Sequence, residues 1–209
     1  MEKVKSNTNT QPIRLFRSNF LEFFTHISPI IVLIIWLPVA GFFIYRSVSD
    51  GFDRIHVVLF GIFLGLFLWT LTEYLLHRFL FHFPANNAWQ TRISFLFHGI
   101  HHEQPRIKTR LVMPPVVSIP MALIFYGFFW ILFSYLLSSA AWFSPVFAGF
   151  ILGYIFYDMT HYATHHFRMK KGYFRRVRQH HMHHHFQTPE QRFGVSSPVW
   201  DNVFGTLPD

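Results

Sequence analysis

Five of the six residues at 180–185 (HHMHHH) are histidine, and His161, His165 and His166 lie shortly before them. Two earlier clusters, His77 with His82 and His98 with His101 and His102, bring thirteen of the fifteen histidines into four places; only His26 and His56 stand apart. Imidazole nitrogen is a good ligand for zinc, iron, copper and nickel. Residues three and four apart share a helix face, so His161 with His165, and His98 with His101 and His102, are spaced to present nitrogens together. An affinity tag would be terminal, whereas 24 residues follow His185. The pattern is that of a metal centre.

The last cluster can be read in two registers, His181, His184 and His185 or His180, His183 and His184, and spacing leaves both open. Either register gives ten candidate ligands, more than one ion needs, so two metals are expected. His77 and His82 are five apart, about 140° round an α-helix. Either the helix unwinds there, with Phe83-Pro84 permitting a break, or the two face different partners. Cysteine is absent, which excludes iron–sulfur and thiolate zinc chemistry. A zinc hydrolase usually adds a carboxylate base, yet acids near the clusters are few. Glu73, Glu103 and Asp158 are better placed to orient imidazoles, with helix-end solvation the plainer role for Glu73 and Asp158. A nitrogen-rich pair of redox metals suits O2 activation and attack on a lipid C–H bond, with carboxylate-rich di-iron bundles as the soluble counterpart.

The elements that must position these residues are membrane helices. Of 209 residues, 51% are hydrophobic and 20% aromatic, too apolar for an ordinary soluble domain. The expected fold is all-α and integral to the membrane: four transmembrane helices with a cytoplasmic helical cap holding a histidine-rich di-metal site. After a flexible tail at 1–13, residues 14–209 form one domain. It begins with an interfacial amphipathic helix at 14–27, whose apolar residues Phe16, Phe20, Phe23, Phe24 and Ile27 follow helical spacing. Spans are expected at about 29–46, 55–76, 116–137 and 145–163, each near the ~20 residues a bilayer requires. Pro114-Pro115 suits a helix start. No charge occurs from Leu111 to Tyr157, room for two spans with a turn near Ser138-Ser139 and Ser144-Pro145. The His-rich segments 77–110 and 161–209 then fall on one side, together with 16 of the 18 lysines and arginines. The positive-inside rule makes that side cytoplasmic. The net charge of +8 is therefore orientation and anionic-lipid contact, with no nucleic-acid partner. Tyr157 and Asp158 are the candidate catalytic residues, to line the site or hydrogen-bond its ligands, with finishing the fourth span the plainer role. Trp200 and Phe204 are expected to anchor the C-terminal segment beneath the membrane. The span phenylalanines are expected to face lipid or pack.

HRFLFH (77–82), HGIHH (98–102), TRLVMPP (109–115), GYIFYDMTHYATHH (153–166), HHMHHHF (180–186) and FGVSSPVWDNVFGT (193–206) resemble the fatty acid 2-hydroxylases of the histidine-motif membrane hydroxylase and desaturase superfamily, over roughly residues 70–209. The resemblance implies a di-iron centre that uses O2 to hydroxylate C2 of a fatty acyl chain, free or within a sphingolipid or other lipid. It carries metal ligation onto His77, His82, His98, His101, His102, His161, His165, His181, His184 and His185. The family's last triplet precedes an aromatic residue, as Phe186 follows His185, which favours the 181 register and leaves His166, His180 and His183 as extras. Zinc is expected to be able to replace iron in purified protein. The chain has no room for the cytochrome b5 domain many members carry, so a separate electron donor, cytochrome b5-like or ferredoxin-like, is implied. That short form points to a bacterial inner membrane, with the endoplasmic reticulum the alternative. The same metal pair could instead serve a sterol or carotenoid hydroxylase or a desaturase. A metal transporter or sensor fits least, because the span centres are nearly uncharged.

Overall fold

A computed structural model of the chain describes residues 11–49 and 55–208, which are helical with no strand among them. Four helices are long and apolar enough to cross a membrane: Pro29–Ser49, Ile55–Phe81, Lys108–Leu136 and Ala140–His166, with mean hydropathies of 2.0, 2.1, 2.2 and 1.5. The protein is an all-α integral membrane protein. The fourth span is the enclosed one, with 61% of its apolar window buried against at most 22% in the others. The second and fourth helices run past their expected ends at 76 and 163, and those extra turns carry histidine. The tail at 1–10 and residues 50–54, including Arg54, lie outside the described residues.

The chain divides into two compact units. One comprises Pro29–Thr70 and Met113–Phe156. It holds α2 (Pro29–Ser49), most of α3 (Ile55–Leu75), α6 (Pro115–Ile131) and most of α7 (Phe143–His166). Pro114 and Pro115 start α6 at its N-cap and first position, where a missing N–H costs nothing. Gly65 on α3 and Gly149 on α7 let these helices touch backbone to backbone, while Gly61 and Gly153 leave room for the side chains of Pro145 and Trp69. A Cβ at Gly65 would lie 2.1 Å from the Val146 carbonyl oxygen, and one at Gly149 would lie 2.1 Å from that of Ile62. Lipid tails are as apolar as leucine, so close van der Waals packing holds membrane helices together. Beside this seam, Trp69 meets Phe150 and Tyr154 edge-on with ring centroids 5.0 and 5.3 Å apart, and Trp36 meets Tyr154 at 5.6 Å.

The second unit comprises Met1–Ser28, Leu71–Val112 and Tyr157–Asp209. Its N-terminal segment departs from the expected helix over 14–27, because α1 spans only Asn19–Phe23. Ser18 caps α1, and the Glu22 carboxylate accepts the N–H groups of Leu15 and Phe16, both at 2.9 Å. That closure holds residues before 18 out of the helix. Phe20 and Phe23 are exposed while Ile27 is buried, so the five apolar residues do not form one stripe. Residues 11–13, expected as the end of a flexible tail, are tied down: Gln104 donates to the Gln11 carbonyl and accepts the Ile13 N–H, both at 2.9 Å, and Arg110 donates to the Ile13 carbonyl. The same guanidinium pairs with Glu22 at 2.6 Å. The remaining elements are α4 (Ala88–Ser94), α5 (Ile100–Glu103), α8 (Gly172–Phe186) and α9 (Val199–Val203).

Candidate metal centre

All ten histidines carried by the 181 register lie in the second unit, in two groups of five. His77, His82, His98, His102 and His184 form one; His101, His161, His165, His181 and His185 form the other, and the nitrogens of each group lie within 4.8 Å of one another. Local geometry explains how widely spaced residues converge. Beyond Leu75 the helix widens into a π-turn over Leu76–Phe81, with the His82 N–H bonded to the His77 carbonyl at 3.1 Å. A five-residue repeat aligns His77 with His82, where an α-helix would set them apart. Of the two expected solutions, an unwound helix or separate partners, the chain comes nearer the first: the helix is locally under-wound and ends at His82. A second π-turn, Phe95–Gly99, carries His98 and leads into α5 with His101 and His102. The last turns of α7 supply His161 and His165, and α8 supplies His181, His184 and His185.

The ring nitrogens point at each other. In the first group Nε2 of His98 is 2.9 Å from that of His77 and 3.0 Å from that of His102, and His184 is 3.1 Å from His82. In the second, His101 is 2.9 Å from both His161 and His185, and His165 is 2.8 Å from His181. His77 donates its Nδ1–H to the Phe193 carbonyl at 2.5 Å, and His184 donates to the Gln191 carbonyl at 2.7 Å. Each proton is thus placed on Nδ1, and each Nε2 faces the cluster as a bare lone pair. Lone pairs converging this closely call for a cation between them. With metal–nitrogen bonds of about 2.1 Å, neighbouring ligands at right angles would sit about 3.0 Å apart, the spacing found here. The residues fit two metal ions held by nitrogen alone.

Burial keeps these rings neutral, as metal ligation requires. Burial foremost, then the field of His184, lowers His82 to about 3. Burial also dominates at His184, which is lowered to about 4 even though its bond to Gln191 works the other way. His98, His101, His181 and His185 are pushed well below the usual imidazole range, by burial first and neighbouring histidines second.

The extra histidines have other roles. His180 turns away and contacts Asp201 Oδ2 at 2.9 Å; His183 is half-buried, and His166 packs on Tyr162. Tyr157 stacks on His161 with centroids 5.8 Å apart, and Asp158 beside it is buried. Of the acids expected to orient imidazoles, Glu103 is exposed and Glu73 binds backbone, accepting from Ser196 N at 2.7 Å and Ser196 Oγ at 2.6 Å. Asp201 is a carboxylate that does touch a histidine of the four clusters, His180, and sequence spacing passed it over although it sits in the WD pair of the FGVSSPVWDNVFGT segment. Burial works to raise its pKa, and bonds from His180, Thr206 and Gly194 outweigh that and hold it below the usual range. Phe204 stacks on Tyr74 at 5.2 Å and Trp200 lies against Phe204, which fastens the C-terminal segment to the end of α3.

Comparison with known proteins agrees with this architecture. The fatty acid hydroxylase family model matches residues 62–206. The chain is 38% identical to dihydroceramide fatty acyl 2-hydroxylase FAH1 of Arabidopsis thaliana, over 93% of this chain and 80% of that protein. It is 37% identical to the fatty acid 2-hydroxylase of Rattus norvegicus, over 94% of this chain and 57% of that one. The solved structure of full-length scs7p, in which only the hydroxylase domain is visible, matches with a TM-score of 0.80 and 36% identity over 91% of this chain and 70% of that chain. These two relatives are eukaryotic, so the expectation of a bacterial inner membrane draws no support from them. With four membrane helices, two five-histidine groups and a family match spanning both, this chain belongs to the fatty acid hydroxylase family.

Proposed function

We propose that the protein hydroxylates C2 of a fatty acyl chain, free or carried in a sphingolipid or other lipid. The observation that carries this reading is the pair of five-imidazole groups, buried or half-buried, with no carboxylate among them. His77, His82, His98, His102 and His184 would hold one metal, and His101, His161, His165, His181 and His185 the other. Two iron ions bound there would supply O2 activation and the oxidant for a C–H bond. The balance is O2, two electrons, two protons and the acyl C–H in; the C–OH product and one water out. The chain's own residues keep the imidazoles neutral by burial, and the Phe193 and Gln191 carbonyls fix the rings of His77 and His184 through Nδ1. Zinc would occupy the same nitrogens without supplying redox chemistry. The 2-hydroxylase activity named for the plant and rat relatives supports the position of attack.

Electrons come, in this reading, from a separate protein donor, cytochrome b5-like or ferredoxin-like. Arg168, Lys170, Lys171, Arg175 and Arg176 are all exposed, and no acid offsets them in the first turn of α8. Cations oppose the dipole at a helix N-terminus, so they do not serve the helix and are suited to an acidic partner. In this reading the face lies, with the histidines, in the cytoplasm, and the excess of lysine and arginine on that side supports it. The test is to supply iron-loaded protein with a donor, O2 and an acyl lipid, and to locate the new oxygen by fragmentation. A hydroxyl at C2 supports the proposal. A double bond, or hydroxylation of a sterol or carotenoid in place of the acyl chain, moves the assignment within the superfamily.

A further inference from the structure

We propose that the two histidine groups are unequal metal sites, the His77/His82/His98/His102/His184 group binding its ion more tightly because the C-terminal strap 191–196 braces it. This rests on the two-metal reading above. In that group the rings of His77 and His184 are each locked at Nδ1 by a backbone carbonyl, of Phe193 and Gln191 respectively. In the other group the Nδ1 atoms of His101, His161, His181 and His185 are buried with no hydrogen-bond partner among the described residues. A partner at the far nitrogen fixes the tautomer and ring orientation and makes the ligating nitrogen more basic. Losing such a partner typically weakens metal binding about 10–100-fold.

The strap that offers the two carbonyls is held on several sides. Asp201 accepts the N–H groups of Phe193 and Gly194 at 2.7 and 2.8 Å, and is itself fixed by His180 at 2.9 Å and the Thr206 hydroxyl at 2.7 Å. Glu73, one helical turn before His77, accepts from Val195 N at 3.2 Å and from Ser196 N and Oγ. Tyr173 of α8 donates to the Ser196 carbonyl at 2.6 Å, and Arg192 N–H donates to the Thr206 carbonyl at 3.0 Å. The chain is tight here, since a Cβ at Gly194 would lie 2.1 Å from the Ser197 carbonyl oxygen. Glu73 and Asp201 touch none of the ten clustered imidazoles. They are positioning residues acting through the Phe193 and Gln191 carbonyls, and this role accounts for two buried carboxylates and one extra histidine that metal ligation leaves unused.

Full-length protein loaded with zinc(II) is titrated with a chelator, and retained zinc is counted by mass spectrometry. Wild type should release its two ions in separate steps, about 10–100-fold apart in chelator. His165→Ala should retain the tight step alone and His82→Ala the loose step alone; both side chains are half-buried, which limits damage to the fold. Asp201→Asn should shift the tight step towards the loose one and leave the loose step in place, whereas a general loss of structure would move both. Ser196→Ala, which deletes only the hydroxyl bond to Glu73, should do the same in smaller measure. Simultaneous release of both ions in wild type, or retention of the tight step in His82→Ala, overturns the proposal. Fewer than two ions in fully loaded wild type would overturn the two-metal reading itself.

Discussion

Among the five histidines of 180–185, helix α8 sorts three into the two five-histidine groups and two away. His181, His184 and His185 are buried with their Nε2 atoms converging on partners from other segments, while His180 meets Asp201 and His183 is half-buried. His183→Ala should keep two metals per chain, and His181→Ala should lose at least one, by metal analysis of purified protein; equal loss from both would mean that the register is wrong. Spacing made the ten candidate ligands readable but not this register, because both triplets repeat the same intervals and His180 is drawn to Asp201, 21 residues beyond it. The π-turn at 76–81 was hidden for a similar reason, since five-residue spacing looks wrong on an α-helix. Acid should act at this scale too. His82 and His184 are lowered to about 3 and about 4, from an unfolded value near 6.5. The unfolded chain therefore binds more protons than the folded one below about 6.5. Stability of the metal-free protein should be full above that pH and fall progressively as pH drops towards 4. Thermal unfolding across that range is the check, and rising stability on acidification would contradict it.

Helix packing depends on positions where no side chain fits. Gly149→Ala would drive a Cβ to 2.1 Å from the Ile62 carbonyl oxygen, and overpacking of this kind costs about 1–3 kcal/mol. Gly127, on α6, has nothing within 4 Å of a Cβ, so Gly127→Ala should be neutral or stabilising by up to about 1 kcal/mol. Melting temperatures of the two variants in detergent should move in opposite directions or differ clearly; equal shifts would refute the seam. Hydropathy was sufficient to find all four spans, because lipid demands long apolar runs whatever the packing. It was silent on the α3–α7 seam, where the informative residues are glycines, and it misjudged α1, where one carboxylate, Glu22, folds the preceding chain back on itself.

For the whole molecule, crowding ten imidazoles together, seven of them buried, costs stability unless they hold something, and family membership together with their convergence points to metals acting on membrane lipid. The strap that braces one group was the least legible part of the site. It consists of backbone carbonyls and N–H groups joined to α3 side chains more than 110 residues earlier in sequence, as in the bond from Ser196 to Glu73. Orientation is open to direct test, since the chain has no cysteine. Lys171→Cys, at an exposed position, should react with a membrane-impermeant thiol reagent only when the cytoplasmic face is accessible; labelling from outside intact cells would reverse the topology. The central claim is tested most directly by lipid mass spectrometry of cells expressing the protein under ¹⁸O2, beside a His161→Ala, His165→Ala control. A 2-hydroxyacyl lipid carrying ¹⁸O in the first and absent from the second is the expected result. Unchanged lipids in cells that supply a donor and iron-loaded protein would contradict it.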